Sequence, residues 1–406
     1  MFTTDKEAIN YIENAKKKEK RLNLNRIKKA LDYFNHPEKS FKKIHVAGTN
    51  GKGSTACFLA NLLIKHGYKT GLFISPYIYS FHERIQIDGN YISASDLLYY
   101  TNLVYDYNKQ LEDKLPFFEL TFLIALLYYK NQNVEYAVIE VGLGGLLDPT
   151  NSINYDLSLI TSIGLDHFDQ LGSDITSIAL HKLGILKPGN NLVSTVKNDL
   201  YPLFLKYTQE NNVQFYHIDE TQIIKKHNTF IFDNNEYEIK MLGDFQVNNA
   251  FLALKAYQIL NCRFNLEKAQ KALLQTAWPG RLEVIREKPL LFIDGAHNIS
   301  AINEIITFFE KNYPNKKIYV LFMAMKDKDY VKMIQALEKI AFHFVFTKIN
   351  YYREEDPHKL SLLTTRSFNV IENIDEALDY TLKIVNEDDI ILGIGSLYLV
   401  SYFKNN

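Results

Sequence analysis

The sequence predicts an α/β protein: a large N-terminal unit built on a doubly wound, mostly parallel sheet, then a smaller doubly wound α/β unit. Three observations predict it. Short apolar strands alternate with helical stretches from Ile44 to Thr195, and the alternation resumes from Leu290 to Ile394. At Lys43-Ile44-His45-Val46-Ala47-Gly48-Thr49-Asn50-Gly51-Lys52-Gly53-Ser54-Thr55 a strand passes through a glycine turn into a helix. Between the two alternations, Trp278-Pro279-Gly280-Arg281 is turn chemistry and sets the predicted boundary, giving units of residues 1–280 and 281–406.

Taken in order, residues 5–34 read as helical. Lys16, Lys17, Lys18, Lys20, Arg21, Arg26, Lys28 and Lys29 make this stretch basic, which suits a solvated helix face or attraction of an anionic substrate. No aromatics are interleaved, so it does not read as a nucleic-acid surface. Strand Ile44 to Ala47 leads through the glycine turn to a helix carrying Phe58, Leu59, Leu62 and Leu63 and ending at Lys65-His66-Gly67. Strand Thr70 to Ile74 ends in Ser75-Pro76-Tyr77, and Glu83 to Ile92 alternates about an Asp88-Gly89 turn, as a hairpin does. Residues 95–112 and 118–130 read as helices, Glu135 to Glu140 and Asp156 to Ile163 as strands. A helix from about Ile175 carries Lys182, and Asn191 to Thr195 is strand-like. Residues 213–240 read as short edge strands, and Gln246-Val247-Asn248-Asn249 opens a helix from Ala250 to Leu260. Beyond the boundary, strands are expected at Leu290 to Ile293, 317–322, 342–347 and 390–394, with helices between.

The 406 residues have a formal net charge of −1, which argues for no particular partner, and 47% are hydrophobic, enough for sizeable cores. Two cysteines, Cys57 and Cys262, fit a reducing compartment and form no metal spacing. The most apolar run, Phe117 to Tyr129, contains Glu119 and is too short to span a bilayer. The polar N-terminus does not read as a signal peptide. A cytoplasmic protein without a membrane partner is expected.

The chemistry concentrates in the glycine turn. Glycines let backbone N–H groups approach phosphate oxygens, and the following helix start adds partial positive charge. Lys52 can pair with β- and γ-phosphates and Ser54 can hold Mg²⁺, so the N-terminal unit is of P-loop type. The spacing is G-x-x-G-K-G-S, with Gly53 between lysine and serine, where the common pattern is G-x-x-x-x-G-K-[ST]. The bland alternative is an ordinary glycine-rich turn. In doubly wound sheets ligands sit outside the carboxyl ends of the strands. Ser54, Ser75, Glu140 and His167 all follow strand ends and are expected on that rim. The second unit has its own strand-end cluster in Asp294, His297 and Asn298, without a phosphate cradle.

Ala47-Gly48-Thr49-Asn50-Gly51-Lys52-Gly53-Ser54, Ser75-Pro76, Phe118-Glu119, Glu140-Val141-Gly142-Leu143-Gly144-Gly145, Leu147-Asp148, Asp166-His167, Lys182-Leu183-Gly184-Ile185, Pro279-Gly280-Arg281 and Asp294-Gly295-Ala296-His297-Asn298 follow one another in this order. The ordered set resembles the bifunctional bacterial folylpolyglutamate synthase/dihydrofolate synthase family, within the Mur-ligase superfamily of ATP-dependent acid–amino-acid ligases. It spans nearly the whole chain. The resemblance implies an ATP- and pterin-binding central domain over 1–280 and a C-terminal glutamate-binding ligase domain over 281–406. It implies ligation of L-glutamate to dihydropteroate and to reduced folates through an acyl phosphate, with ATP binding between the domains.

Residue roles come with it. Thr49, Asn50, Gly51, Lys52, Gly53, Ser54, Asn249, Arg281 and Asp294 match ATP contacts. Ser54, Ser75, Glu140, His167 and Lys182 match positions around two Mg²⁺ ions, with Lys182 the lysine that many members carry as a carbamate. Lys52, Lys182 and His297 match catalytic positions, His297 near the glutamate amine. The pterin side matches at Arg21, Leu22, Asn23, Leu24, at Phe118, Glu119, Leu120, Thr121, and at Leu147, Asp148, Pro149. The family often has glycine where Asn23 stands, arginine where Leu146 stands and histidine where Tyr77 stands, which bears on substrate preference. The implied partners are small molecules only, and a monomer is expected. Three readings compete with the bifunctional one: polyglutamylation alone, another Mur-type ligase, and a phosphate-cradle kinase or regulatory nucleotide-binding module. The last would leave Lys182 and the Asp294-to-Asn298 cluster unexplained.

Overall fold

The computed structural model describes residues 1–15, 23–166, 171–172 and 174–405. The chain divides into two compact units. The first comprises Met1–Ile163, Leu171–Ile239 and Val247–Thr276; the second comprises Gly164–Gln170, Lys240–Gln246 and Ala277–Asn406.

The first unit is built on an eight-stranded sheet. Its strands are β1 (Lys42–Ala47), β2 (Thr70–Phe73), β3 (Ile85–Ile87), β4 (Asn90–Tyr91), β5 (Tyr136–Glu140), β6 (Leu157–Ile160), β7 (Asn191–Ser194) and β8 (Gln214–His217). The order is β4-β3-β2-β5-β1-β6-β7-β8. The pairs from β2 through β8 are parallel, and β3 and β4 add an antiparallel hairpin at one edge. Central strands such as Tyr136–Glu140 and Leu157–Ile160 are buried along their whole length, as parallel strands covered on both faces must be. Helices Lys52–Lys65 and Phe117–Asn131 are buried on nearly every side, which is why their sequences are apolar around the whole circumference. A separate three-stranded antiparallel sheet, β9 (Lys225–Lys226), β10 (Thr229–Phe232) and β11 (Asn235–Glu238), occupies the stretch read as edge strands, while β8 ends the main sheet.

The second unit has six strands: β12 (Glu283–Glu287), β13 (Leu290–Ile293), β14 (Ile318–Phe322), β15 (Ala341–Lys348), β16 (Ser367–Asn373) and β17 (Ile390–Ile394). Their order is β12-β13-β17-β14-β15-β16, parallel except for β12. Phe292, Phe309, Val320, Phe322, Phe344 and Leu392 form the centre of its core.

Two helix expectations need correction, and several elements were not anticipated. Residues 5–34 are not one helix: Asp5–Asn14 and Asn25–Tyr33 are separate, and Asn23 uses its side chain to accept the Asn25 N–H instead of continuing a helix. The helix expected to start at Ala250 spans Asp244–Ile259. Strands β12 and β16 were not anticipated; both are sheet edges, and their charged and polar residues carry no apolar run to betray them. Helices Tyr201–Glu210, Leu266–Gln275 and Leu397–Asn405 were not anticipated either; the other strands and α-helices lie where the alternation predicts, with ends shifted by a few residues.

Candidate active site

The glycine turn is shaped by its neighbours. At Gly48, φ is +151°, and a Cβ there would collide with Thr161 Oγ1. Past it the backbone is pinned to the segment following β6: the Thr49 N–H donates to Ser162 O at 2.8 Å and the Asn50 N–H to Ser162 Oγ at 3.0 Å. Thr161 Oγ1 donates back to Asn50 O at 2.6 Å. Gly51, left-handed at φ +82°, precedes helix Lys52–Lys65 and supplies no side-chain cap. The first-turn N–H groups of that helix are therefore open to an anion, with no side-chain cap in competition among the described residues. Asn249 lies beside Gly51 and accepts from Thr55 Oγ1 at 3.3 Å. Lys52 Nζ donates to Thr49 O at 3.3 Å, folded back over the turn. Ser54 Oγ is buried and has no hydrogen-bond partner among the described residues. A buried hydroxyl oxygen left so is costly, and a hard cation is one group that would use its lone pairs.

Adjacent strands β2 and β5 bring the next residues together. Glu140, the last residue of β5, is buried and accepts the Ser75 N–H at 2.9 Å. The loop after Glu140 is tied to the C-terminal end of helix Ile175–Leu183: the Leu146 N–H donates to His181 O at 2.8 Å, and Asn151 Nδ2 bridges Leu146 O and Gly184 O at 2.9 Å each. That tie brings Lys182, itself buried, against Gly145 of the Glu140 loop. Ser75 and Glu140 thus share the rim as expected, whereas Ser54 sits in the first turn of a helix rather than directly after a strand. His167 lies outside the described residues, as do Arg21 and Leu22.

Among the residues matched to pterin, Phe118 packs its ring over the loop, 2.6 Å from where a Cβ on Gly142 would stand. Only glycine leaves that room. Leu147 is exposed, Pro149 half-buried, and Asp148 buried. Asp148 spends its carboxylate on the loop: Oδ2 accepts the Leu143 N–H at 2.7 Å, and Oδ1 accepts from Thr150 N and Oγ1. Burial raises its pKa, and those hydrogen bonds pull it back down. Glu119 is buried and paired with Arg26 at 3.0 Å; Arg26 also reaches Asp113 at 2.9 Å. Leu120 and Thr121 are core residues of the same helix, Thr121 Oγ1 donating to Phe117 O. Asn23 is exposed, and Leu24 packs partly against the core. Tyr77 donates to Glu13 Oε1 at 2.8 Å and lies under the Arg84 guanidinium at 5.0 Å.

In the second unit Asp294 follows β13 and accepts two backbone N–H groups, Leu282 at 2.8 Å and Ala296 at 2.7 Å. Burial raises its pKa against the opposing Arg281 charge and these two hydrogen bonds. His297 Nδ1 contacts Gly295 O at 2.7 Å, and its Nε2 lies 3.9 Å from Asp166. Desolvation, with help from Lys328, holds this imidazole below its usual range. Asp166 pairs with Lys328 at 2.8 Å and accepts from Asn298 Nδ2 at 3.2 Å. Sequence reasoning missed Lys328. Its only signal is the charged run Lys326-Asp327-Lys328-Asp329, which reads as an ordinary solvated turn. Arg26 stood in the basic stretch with nothing to mark it as the partner of Glu119.

Known proteins resemble the chain along nearly its whole length. The family model described as the Mur ligase middle domain matches residues 46–257, and that described as the Mur ligase glutamate ligase domain matches residues 280–397. A dihydrofolate synthase/folylpolyglutamate synthase of Bacillus subtilis (strain 168) is 33% identical over 428 positions, covering 99% of this chain and 98% of the relative. A folylpolyglutamate synthase of Lacticaseibacillus casei is 31% identical over 97% of this chain and 96% of its own length. Among solved structures, a bifunctional folylpolyglutamate synthase/dihydrofolate synthase of Yersinia pestis, complexed with AMPPNP and a Mn ion, superposes with a TM-score of 0.89. It is 25% identical and covers 99% of this chain and 98% of that one. With a Mur ligase fold in both parts and a full-length match to its sequences, the chain belongs to the dihydrofolate synthase/folylpolyglutamate synthase family of ligases.

Proposed function

We propose that this chain joins L-glutamate to dihydropteroate and to reduced folates, with ATP as phosphoryl donor. The observation that carries the reading is the buried Ser54 Oγ, without a hydrogen-bond partner among the described residues, beside Lys52 at an uncapped helix start, in a chain matched by both Mur ligase domains. The substrate carboxylate oxygen attacks the γ-phosphorus, releasing ADP and forming an acyl phosphate. The glutamate amine then attacks the acyl carbon, phosphate leaves, and the amine gives up a proton. The first step needs positioning and neutralisation of phosphate charge more than covalent help. Lys52 and the free N–H groups of the first helical turn supply it on the protein side, with Thr49, Asn50, Gly53 and Asn249 shaping the cradle.

Ser54, Ser75, Glu140, His167 and Lys182 would hold two magnesium ions, Lys182 as a carbamate. Those ions would add charge neutralisation at the transferring phosphoryl group. The relative solved with AMPPNP and manganese supports the nucleotide and a divalent metal. Arg281 would pair with phosphate and Asp294 with the nucleotide, while His297, its ring kept uncharged, would accept the glutamate amine. The pterin side is assigned to Arg21 to Leu24, Phe118 to Thr121 and Leu147 to Pro149, with residues 1–280 binding ATP and pterin and 281–406 binding glutamate.

Polyglutamylation alone is the second reading, since a relative of similar identity carries only that name. One experiment tests both: ATP-dependent phosphate release with dihydropteroate or tetrahydrofolate, each with and without glutamate. Glutamate-dependent release with both acids is expected. Release with tetrahydrofolate alone selects the second reading, and release with neither overturns both.

A further inference from the structure

We propose that His45 is a positioning residue for ligation, its Nε2–H acting through Thr150 and Asp148 to set residues 141–149, the loop that seats the acid substrate. This rests on the proposed function in assigning that loop to the acid.

His45 is the odd residue of β1. Ile44, Val46 and Ala47 are buried and apolar; His45 is as completely buried, opposite Ile139 on β5 and Ser158 on β6. A polar ring in that place costs free energy that another valine would not. Its surroundings use both its face and its edge. The ring stacks on Tyr155 at 3.9 Å between centroids and 8° between planes, and Tyr155 Oη donates to Thr150 O at 2.6 Å. Nε2 lies 2.8 Å from Thr150 Oγ1. That hydroxyl has one proton, and it goes to Asp148 Oδ1 at 2.5 Å. Thr150 can then only accept from His45, so Nε2 carries the hydrogen and Nδ1 is bare. Nδ1 has no hydrogen-bond partner among the described residues, which fits a ring chosen for its other nitrogen. From Asp148 the chain continues to the Leu143 N–H at 2.7 Å, one residue from the Gly142 that lies under Phe118. A hydrogen-bonded line thus runs from the strand feeding the phosphate cradle to the floor beneath Phe118.

The test compares three substitutions. His45→Gln places an amide N–H where Nε2 stands; His45→Asn places it where Nδ1 stands; His45→Phe keeps the stack and removes the donor. His45→Gln should keep the KM for the acid within about twofold of the parent, whereas His45→Phe and His45→Asn should raise it about tenfold or more. The KM for ATP should hold in all three. An unchanged acid KM in His45→Phe, or an ATP KM rising by the same factor, overturns the proposal. Nitrogen NMR of the parent imidazole provides a readout without turnover: a hydrogen on Nε2 and none on Nδ1 is expected, and the reverse overturns it. The Leu143 and Gly142 amide resonances should move in His45→Phe and stay in His45→Gln; amides that do not move in His45→Phe also overturn it. A parent that ligates nothing would defeat the functional reading alone, leaving the imidazole spectrum to decide the tautomer and the amide shifts to decide the coupling.

Discussion

Lys52 shows what one residue contributes at the cradle. It folds over a turn rather than into a core, so Lys52→Ala should leave the melting temperature nearly unchanged. Loss of its charge at the transferring phosphate should lower kcat about a hundredfold or more. Near-normal turnover in the folded variant would contradict the assignment. Arg26 is the opposite case. Its pairing with buried Glu119 predicts that Arg26→Met costs about 3 kcal/mol or more, because a carboxylate is stripped of a buried partner. Adding Glu119→Leu should recover much of that loss in denaturant unfolding; a double variant weaker than the single one would refute the pairing. His45 sets a pH dependence. Burial, with Lys187 nearby, holds its folded pKa below the unfolded value near 6.5, so under that pH the unfolded chain binds a proton the folded ring refuses. Its share of stability is intact above about pH 6.5 and falls by up to about 1.4 kcal/mol per pH unit below it. Melting followed from pH 8 to 5 should show a shallower acid limb in His45→Gln than in the parent. The cradle residues were legible because glycine, lysine and serine at a strand–helix junction form a local pattern. The pairings of Arg26 with Glu119, 93 positions apart, and of Lys328 with Asp166, 162 apart, were not. No local spacing encodes a partner so distant.

At the scale of elements, burial decided what could be read. Helix Phe117–Asn131 and the central strands are apolar because they are covered, and their sequences said so. Edge strands β12 and β16 are held by backbone pairing to one neighbour, which leaves little trace in side chains. The break before Asn25 hid among residues whose helix propensities differ by fractions of a kcal/mol. Helix ends are more open to prediction. Asn298 caps helix Ile299–Asn312 by accepting the Ala301 N–H at 2.9 Å. Asn298→Ala should cost about 1 kcal/mol from the lost cap, and more because Nδ2 also reaches Asp166. Asn298→Asp, which keeps the cap oxygen but meets a carboxylate, should not restore the parent's stability. Equal stability of all three proteins would show that neither contact matters.

For the whole molecule, the two alternations of strand and helix marked out two sheets, and both are there. What the alternation could not show is that the second unit is assembled from three stretches of chain, since Gly164–Gln170 and Lys240–Gln246 are too short to carry a period of their own. Those stretches matter to it. Asp166 is the carboxylate against Lys328, and Leu242 and Phe245 pack on its core. A fragment of residues 277–406 keeps all six strands yet lacks these three side chains. It should melt well below the second unit of the intact protein, and Lys328→Met should raise the fragment's melting temperature while lowering that of the full chain. A fragment as stable as the parent unit, or one that Lys328→Met weakens, would show the short stretches to be dispensable. Genes are often imagined as strings of separable modules, each movable by cutting at two points. Here the smaller module has no such pair of cuts. Exchange of this unit between relatives by recombination at one junction would strand part of its interior in the other parent, so its inheritance is bound to that of the whole chain.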